Sequence, residues 1–538
     1  MPASPAAAQA LDLLIRGARI VDGSGNPWYS GDVGVRGGTI VEVGNLTGRT
    51  AKRTIDAKGM VVSPGFVDLM GVNTFVFLAD PPSAESRLRQ GITTSMAGEG
   101  GSHAPQNART LGNVTLGGKP VSWRTFAEYH RLFEQHGVPL NVVHNVGAAQ
   151  VRRVVIGEEA GAPTPQQMTQ MKALVRQAME DGAVGYSTAL IYPPGIYATT
   201  EELIEMGKVT AEYGGVYFTH MRNESSQLLE AIRESIHIGE KAGVPVHIFH
   251  LKAAGQENWP LVKQAIALIQ SARDRGLDVT SDIYPYIRNG LGLESFVNPR
   301  HFTAGEKAFV ATLSNPRVRQ ELRREIETTT NWENWYRHVG RDWNKVLITA
   351  VGSRGDRSIV GLSVQQVADK QKTDVWETFF NLVQQGGVEV APESMNEEQK
   401  REALRAPFVA IETDSQPANP ATTESSHPRA FGSFPRVLAK YVREEKVLTL
   451  EDAVRRMTSL PANRMGLYDR GRIAPNMAAD LVLFDPDKIQ DTATFTKPLS
   501  YATGVEYLVV NGELVIDEGR LTGRKPGKVL RHRRSVAQ

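Results

Sequence analysis

Residues 11–46 alternate apolar and polar side chains in short bursts: Leu11-Asp12-Leu13-Leu14-Ile15-Arg16, then Arg19-Ile20-Val21-Asp22-Gly23, then Thr39-Ile40-Val41-Glu42-Val43. A period of two broken by glycines predicts short antiparallel strands. The run Tyr507-Leu508-Val509-Val510-Asn511-Gly512-Glu513-Leu514-Val515-Ile516 repeats the idea near the other end. Neither segment is long enough to bury its own face. Together, 11–62 and 466–530 are expected to complete one small β-sandwich domain.

Between them the pattern changes to strand, loop, helix. Apolar runs at 61–68, 92–98, 140–146, 183–187, 216–220, 245–250, 278–284 and 408–414 predict strands. Helical periodicity separates most of them, at 164–181, 200–213, 225–242 and 259–275, with Thr164 and Thr200 as N-caps. Eight β/α steps across 63–465 predict an α/β fold, a (β/α)8 TIM-like barrel whose active site lies at the C-terminal strand ends. A doubly wound open sheet is the alternative. From about 287 to 407 the spacing breaks, and an excursion this long predicts an insertion with its own structure, centred on 290–345 and covering the site mouth. The apolar run 346–351 is read as a strand outside the barrel.

The chain has 538 residues, 41% of them hydrophobic, enough for a large core. Its 61 basic residues balance 59 acidic ones, which argues against a general binder of nucleic acid or acidic membrane. The basic stretch 524–534 is read as a solvated tail. With no cysteine, disulfides and thiolate ligands or nucleophiles are excluded. No apolar run reaches the ~18–20 residues of a membrane span. The alanine-rich start fits either a trimmed export signal or an ordinary chain end, leaving cytoplasm and export both open. Self-association is equally open.

Four polar groups fall where a barrel would display them. Glu99 follows the strand at 92–98, His220 ends 216–220, His250 ends 245–250 and Asp414 ends 408–414. Two imidazoles and a carboxylate suffice to hold one divalent metal ion, Zn2+ by chemistry, and leave a position open for water. Each has a structural alternative: a hydrogen-bonded strand-end histidine, a helix-capping glutamate, an aspartate bonded to backbone amides. Joint placement favours the metal. His247 and His250, three apart on a strand, are expected on opposite faces. Lys252 shares the His250 face and is a candidate for a substrate carboxylate. His103, His144 and His427 are read as non-ligands.

The chain resembles the amidohydrolase superfamily, and within it the N-acyl-D-amino-acid deacylase (D-aminoacylase) family. Carrying motifs include 186–195 (Tyr-Ser-Thr-Ala-Leu-Ile-Tyr-Pro-Pro-Gly), 219–224 (Thr-His-Met-Arg-Asn-Glu), 250–255 (His-Leu-Lys-Ala-Ala-Gly), 282–286 (Asp-Ile-Tyr-Pro-Tyr) and 427–436 (His-Pro-Arg-Ala-Phe-Gly-Ser-Phe-Pro-Arg). The resemblance implies metal-dependent hydrolysis of the amide bond of N-acyl amino acids, N-acyl-D-amino acids first, with Glu99 at the place of a ligand cysteine. It implies ligand roles for His220 and His250 and a general base at Asp414. Substrate contacts are expected at Lys252, Tyr284, Arg288, Tyr192 and Arg429. Two departures stand out. The His-x-His pair that follows Pro-Gly-Phe-x-Asp is replaced by Met70 and Val72, which leaves ligands for one metal. Gly290 stands where the family often has a carboxylate-binding serine. Alternative readings are hydrolysis of another amide, dipeptide or ester, or an inactive barrel that only binds.

Overall fold

A computed structural model describes residues 10–352, 355–423 and 426–532. The alanine-rich start and the last arginines of the basic tail lie outside them. Both ends of the chain meet in one nine-stranded sheet. Leu11–Ile20 is its hub: it pairs antiparallel with Tyr29–Arg36 and parallel with Ala51–Asp56 and Val61–Pro64. Val61–Pro64 then pairs antiparallel with Leu481–Phe484, which leads on to Val505–Val510 and Glu513–Asp517. Hydrogen bonding is therefore continuous through the nine strands of the terminal domain. The cause is Leu11–Ile20, ten residues long and irregular between Ile15 and Ala18, which supports three neighbours at once. Leu13, Ile15, Ile20, Val33, Leu481 and Val509 bury its inner face.

Parallel strands follow one another between these ends: Phe66–Asp68, Ile92–Ala97, Asn141–His144 with its continuation Val146–Gly147, Gly185–Ala189, Val216–His220, Val246–Ile248, Val279–Ile283 and Val409–Ile411. Each pairs in parallel with the next. The first strand and the segment after the last are joined through the Asp68 carboxylate, which accepts from the Thr413 backbone N–H at 3.0 Å and from Thr413 Oγ1 at 2.8 Å. The expected strand at 61–68 is in fact two. Val61–Pro64 belongs to the terminal sheet, and only Phe66–Asp68 opens the parallel series.

The helices lie close to their predicted spans, at Pro165–Glu180, Thr200–Ala211, Leu228–Ala242 and Leu261–Asp274. Thr164 caps the first in a capping box with Gln167, whereas Thr199, not Thr200, caps the second. Residues between the last two parallel strands form a three-stranded antiparallel sheet in which Val346–Ala350 pairs with Glu389–Pro392, outside the parallel series. Their core of Trp335, Trp343, Trp376, Phe379 and neighbours is separate from the main one. Among the described residues no helix is long and apolar enough to cross a membrane.

Candidate active site

Glu99, His220 and His250 converge, with one potential ligand atom from each lying within 4.8 Å of the others. Glu99 sits in a tight turn directly after its strand. Gly100 there has φ +66°, and a Cβ on it would lie 2.5 Å from the Ala189 backbone nitrogen, so no larger residue fits. His220 is the last residue of its strand and turns Nδ1 to Glu99 Oε1 at 2.7 Å. His250 Nε2 reaches the same oxygen at 3.3 Å. The two rings meet edge to face, centroids 4.5 Å apart.

The expected opposition of His247 and His250 does not hold. The strand stops at Ile248 and His250 has a left-handed φ of +38°, which swings its ring into the cavity. His247 points inward too, its Nε2 3.0 Å from Asp282 Oδ2, while Asp282 Oδ1 accepts the His250 backbone N–H at 2.5 Å. One buried carboxylate thus positions both residues.

Glu224 is the main residue that sequence reasoning missed. Its Oε1 lies 2.7 Å from His250 Nδ1 and 2.7 Å from Lys252 Nζ. Burial alone would raise its pKa, but Lys252 and the two imidazoles outweigh burial and hold it well below the carboxylate range. Its place in the 219–224 motif, four residues after His220, was the available signal. The same balance acts on Glu99, where burial is overcome by the two histidines and the pKa falls to about 2. His250 is driven up to about 9. Burial and Lys252 oppose that rise, while Glu224 and Glu99 outweigh them.

Asp414 lines the same small cavity, of about 60 Å³, with Tyr192, Lys252 and Tyr284. Its Oδ2 accepts from Arg429 Nη1 at 2.6 Å. Burial raises the Asp414 pKa, and Arg429 offsets only part of that. The Arg429 guanidinium lies 4.6 Å from the Tyr284 ring centre, whose buried hydroxyl has no hydrogen-bond partner. Behind that ring Lys400 Nζ is buried 4.4 Å from the centroid, its pKa lowered to about 7 by burial and by Lys252. A Cβ at Gly290 would come within 3.0 Å of Arg429 Nη2. The missing serine side chain is therefore space that Arg429 uses.

Arg288 does not join the group. Its guanidinium binds Glu393 at 2.6 Å and the carbonyls of Lys345 and Ala391, and Asn289, Gly290 and Leu291 line the cavity instead. The expected carboxylate contact at Arg288 is thus replaced by a tie between insertion strands. His103, His144 and His427 also lie apart. His144 bonds Thr74 and His130, His103 stacks on Tyr129, and His427 meets the Arg288 carbonyl.

Residues 357–516 match the profile of the Amidohydrolase family. The N-acyl-D-glutamate deacylase of Alcaligenes xylosoxydans xylosoxydans is 32% identical over 98% of this chain and 98% of its own length. The chain belongs to the N-acyl-D-amino-acid deacylase family of amidohydrolases. This deacylase-family protein is accordingly a hydrolase of amide C–N bonds. Its fold matches that of N-acyl-D-glutamate deacylase from Bordetella bronchiseptica, solved with zinc and a phosphonate inhibitor that mimics the tetrahedral intermediate. The TM-score is 0.81 at 30% identity, covering 97% of this chain and 100% of that one. A D-aminoacylase structure described by its binuclear metal centre, with one-metal activation and second-metal attenuation, matches at TM-score 0.80 and 30% identity, covering 97% and 100%.

The donor set fits a divalent metal. Two imidazole nitrogens and a carboxylate oxygen suit Zn2+ and its neighbours. Both imidazoles crowd a single carboxylate oxygen, and His220 Nε2 is buried without a hydrogen-bond partner. Met70 and Val72 offer no ligand at the place of the missing pair, and among the described residues no second group of three ligands forms.

Proposed function

We propose that the chain hydrolyses the amide bond of N-acyl-D-amino acids with one divalent metal, Zn2+, held by Glu99, His220 and His250. The observation that carries this reading is the convergence of those three donors beside the Asp414–Arg429 pair, in a family of amide hydrolases. We take the parallel series to close as a (β/α)8 barrel, with the terminal sheet as its own domain and the insertion over the mouth. A bound divalent ion supplies the Lewis acid that polarises a scissile carbonyl and eases deprotonation of water. Asp414, its proton affinity raised by burial, takes that proton and returns it to the departing amine nitrogen. Arg429 fixes the carboxylate in place. Lys252, anchored by Glu224, and the unpartnered Tyr284 hydroxyl hold the substrate carboxylate, and Tyr192 closes the opposite wall against His220.

Metal analysis of the purified protein alongside a panel of N-acetyl-D- and N-acetyl-L-amino acids tests this. About one equivalent of metal and turnover confined to the D-series are expected. Asp414→Asn should lower kcat by ~10²–10⁴ while keeping the metal. Retention of most activity in that variant would remove Asp414 from the reaction.

A further inference from the structure

Beside the small cavity opens a larger one of about 450 Å³, which shares Tyr192 and Trp335 with it. Its far wall comes from the insertion. Val297 and Phe302 make it partly apolar, and among the described residues its ionisable side chains are all carboxylic: Glu158, Glu294, Glu306 and Glu333. Glu158 is matched by Arg153 at 2.7 Å. Glu333 lines the larger cavity only: one of its oxygens accepts the Glu224 backbone N–H, Oε2 is buried without a partner, and burial and then Glu224 raise its carboxyl to about 7. The Glu294 carboxyl is raised chiefly by burial, opposed by a hydrogen bond from its own backbone N–H, with Glu389 and Glu306 adding to the rise.

Among the described residues, none of the cations around the inner site lines the outer cavity. Lys252 is bound to Glu224, Arg429 to Asp414 and Arg288 to Glu393. A substrate group entering the outer cavity therefore meets carboxylates over an apolar wall. A second carboxylate there would be desolvated beside like charges with no partner. An amine or guanidinium on an apolar stem would satisfy both wall and charge.

On the hydrolytic reading of the site, we propose that this vestibule selects substrates whose outer part is an apolar chain ending in an amine or guanidinium, and rejects those ending in a carboxylate. The chain would then differ in preference from the relative named for D-glutamate.

The test compares kcat/KM of the metal-loaded enzyme on N-acetyl-D-arginine, N-acetyl-D-leucine and N-acetyl-D-glutamate. It adds 6-aminohexanoyl-D-leucine against hexanoyl-D-leucine, to learn whether side chain or acyl chain enters the vestibule. One cationic substrate should exceed its neutral counterpart by about tenfold or more, as an ionic contact of this kind supplies, and the glutamate substrate should fall below leucine. In Glu294→Gln/Glu306→Gln that cationic advantage should shrink towards unity. Glu306→Gln alone, at an exposed position, should reduce it in part and guards against misfolding of the double variant. Glutamate hydrolysed as well as leucine, or an advantage that survives both variants, overturns the proposal while leaving the reaction intact. Failure to hydrolyse even the leucine substrate removes the reaction itself, and the preference with it.

Discussion

Asp414 and His250 both hold left-handed backbone angles, φ +43° and +38°, in the turns beyond Val409–Ile411 and Val246–Ile248. Such conformations cost a side-chain-bearing residue ~1–3 kcal/mol, and here they turn a carboxylate and an imidazole into the cavity. The Asp414–Arg429 pair makes a pH prediction. Burial raises the Asp414 pKa and Arg429 holds it back, so Arg429→Gln should let it climb further. A base works only when deprotonated, so activity is lost as pH falls through that pKa. The acid limb of kcat/KM should therefore move to higher pH in the variant, and an unmoved limb in the pH–rate profile would break the link. Glu99, His220, His250 and Asp414 were singled out because each lies at or just past the end of a strand-like stretch. Glu224 and Glu333 were not, since they sit in loops whose course depends on distant packing. Arg288 misled for the same reason: the direction of its guanidinium is set by residues 57 to 105 positions away, a contact no local pattern encodes.

Elements were read most securely where period and cap agree. The helix Pro165–Glu180 has its apolar stripe at Met171, Val175 and Ala178, proline in its first turn and a reciprocal cap between Thr164 and Gln167. Replacing Thr164 with alanine should cost about 1 kcal/mol, readable in chemical denaturation as a lower midpoint at unchanged slope. No loss would mean that water serves the freed N–H groups equally well. Element boundaries were harder where one apolar run serves two sheets. Across 61–68 every residue is buried, so hydrophobicity shows no break, and the division at Gly65 follows from pairing partners: distant Leu481–Phe484 for Val61–Pro64, and Ile92–Ala97 for Phe66–Asp68. The insertion announced itself only as lost spacing. Its small sheet and tryptophan-rich core are built from non-local pairs.

At the scale of the molecule, a buried polar knot ties the terminal sheet to the parallel strands. Asp480 accepts from the Arg470 guanidinium, from Asn141 Nδ2 at 3.0 Å and from the Asn511 backbone N–H at 2.7 Å, and Asn511 reaches back to Asn141 at 2.8 Å. Asp480→Ala would leave the buried Arg470 guanidinium with Asp469 as its remaining ionic partner, at 3.3 Å, and should cost ~3–5 kcal/mol, seen as a lowered thermal midpoint. A change no larger than the ~1 kcal/mol of a surface pair would show that the knot is not a structural tie. The nine-stranded sheet also imposes an order on synthesis. Val61–Pro64 and its neighbour Leu481–Phe484 lie about 400 residues apart, tens of seconds of translation at ~5–20 residues per second. During that interval the earliest strands present an apolar, hydrogen-bond-hungry border to the cell. Whatever shields it until the closing strands arrive governs how much working enzyme a cell obtains.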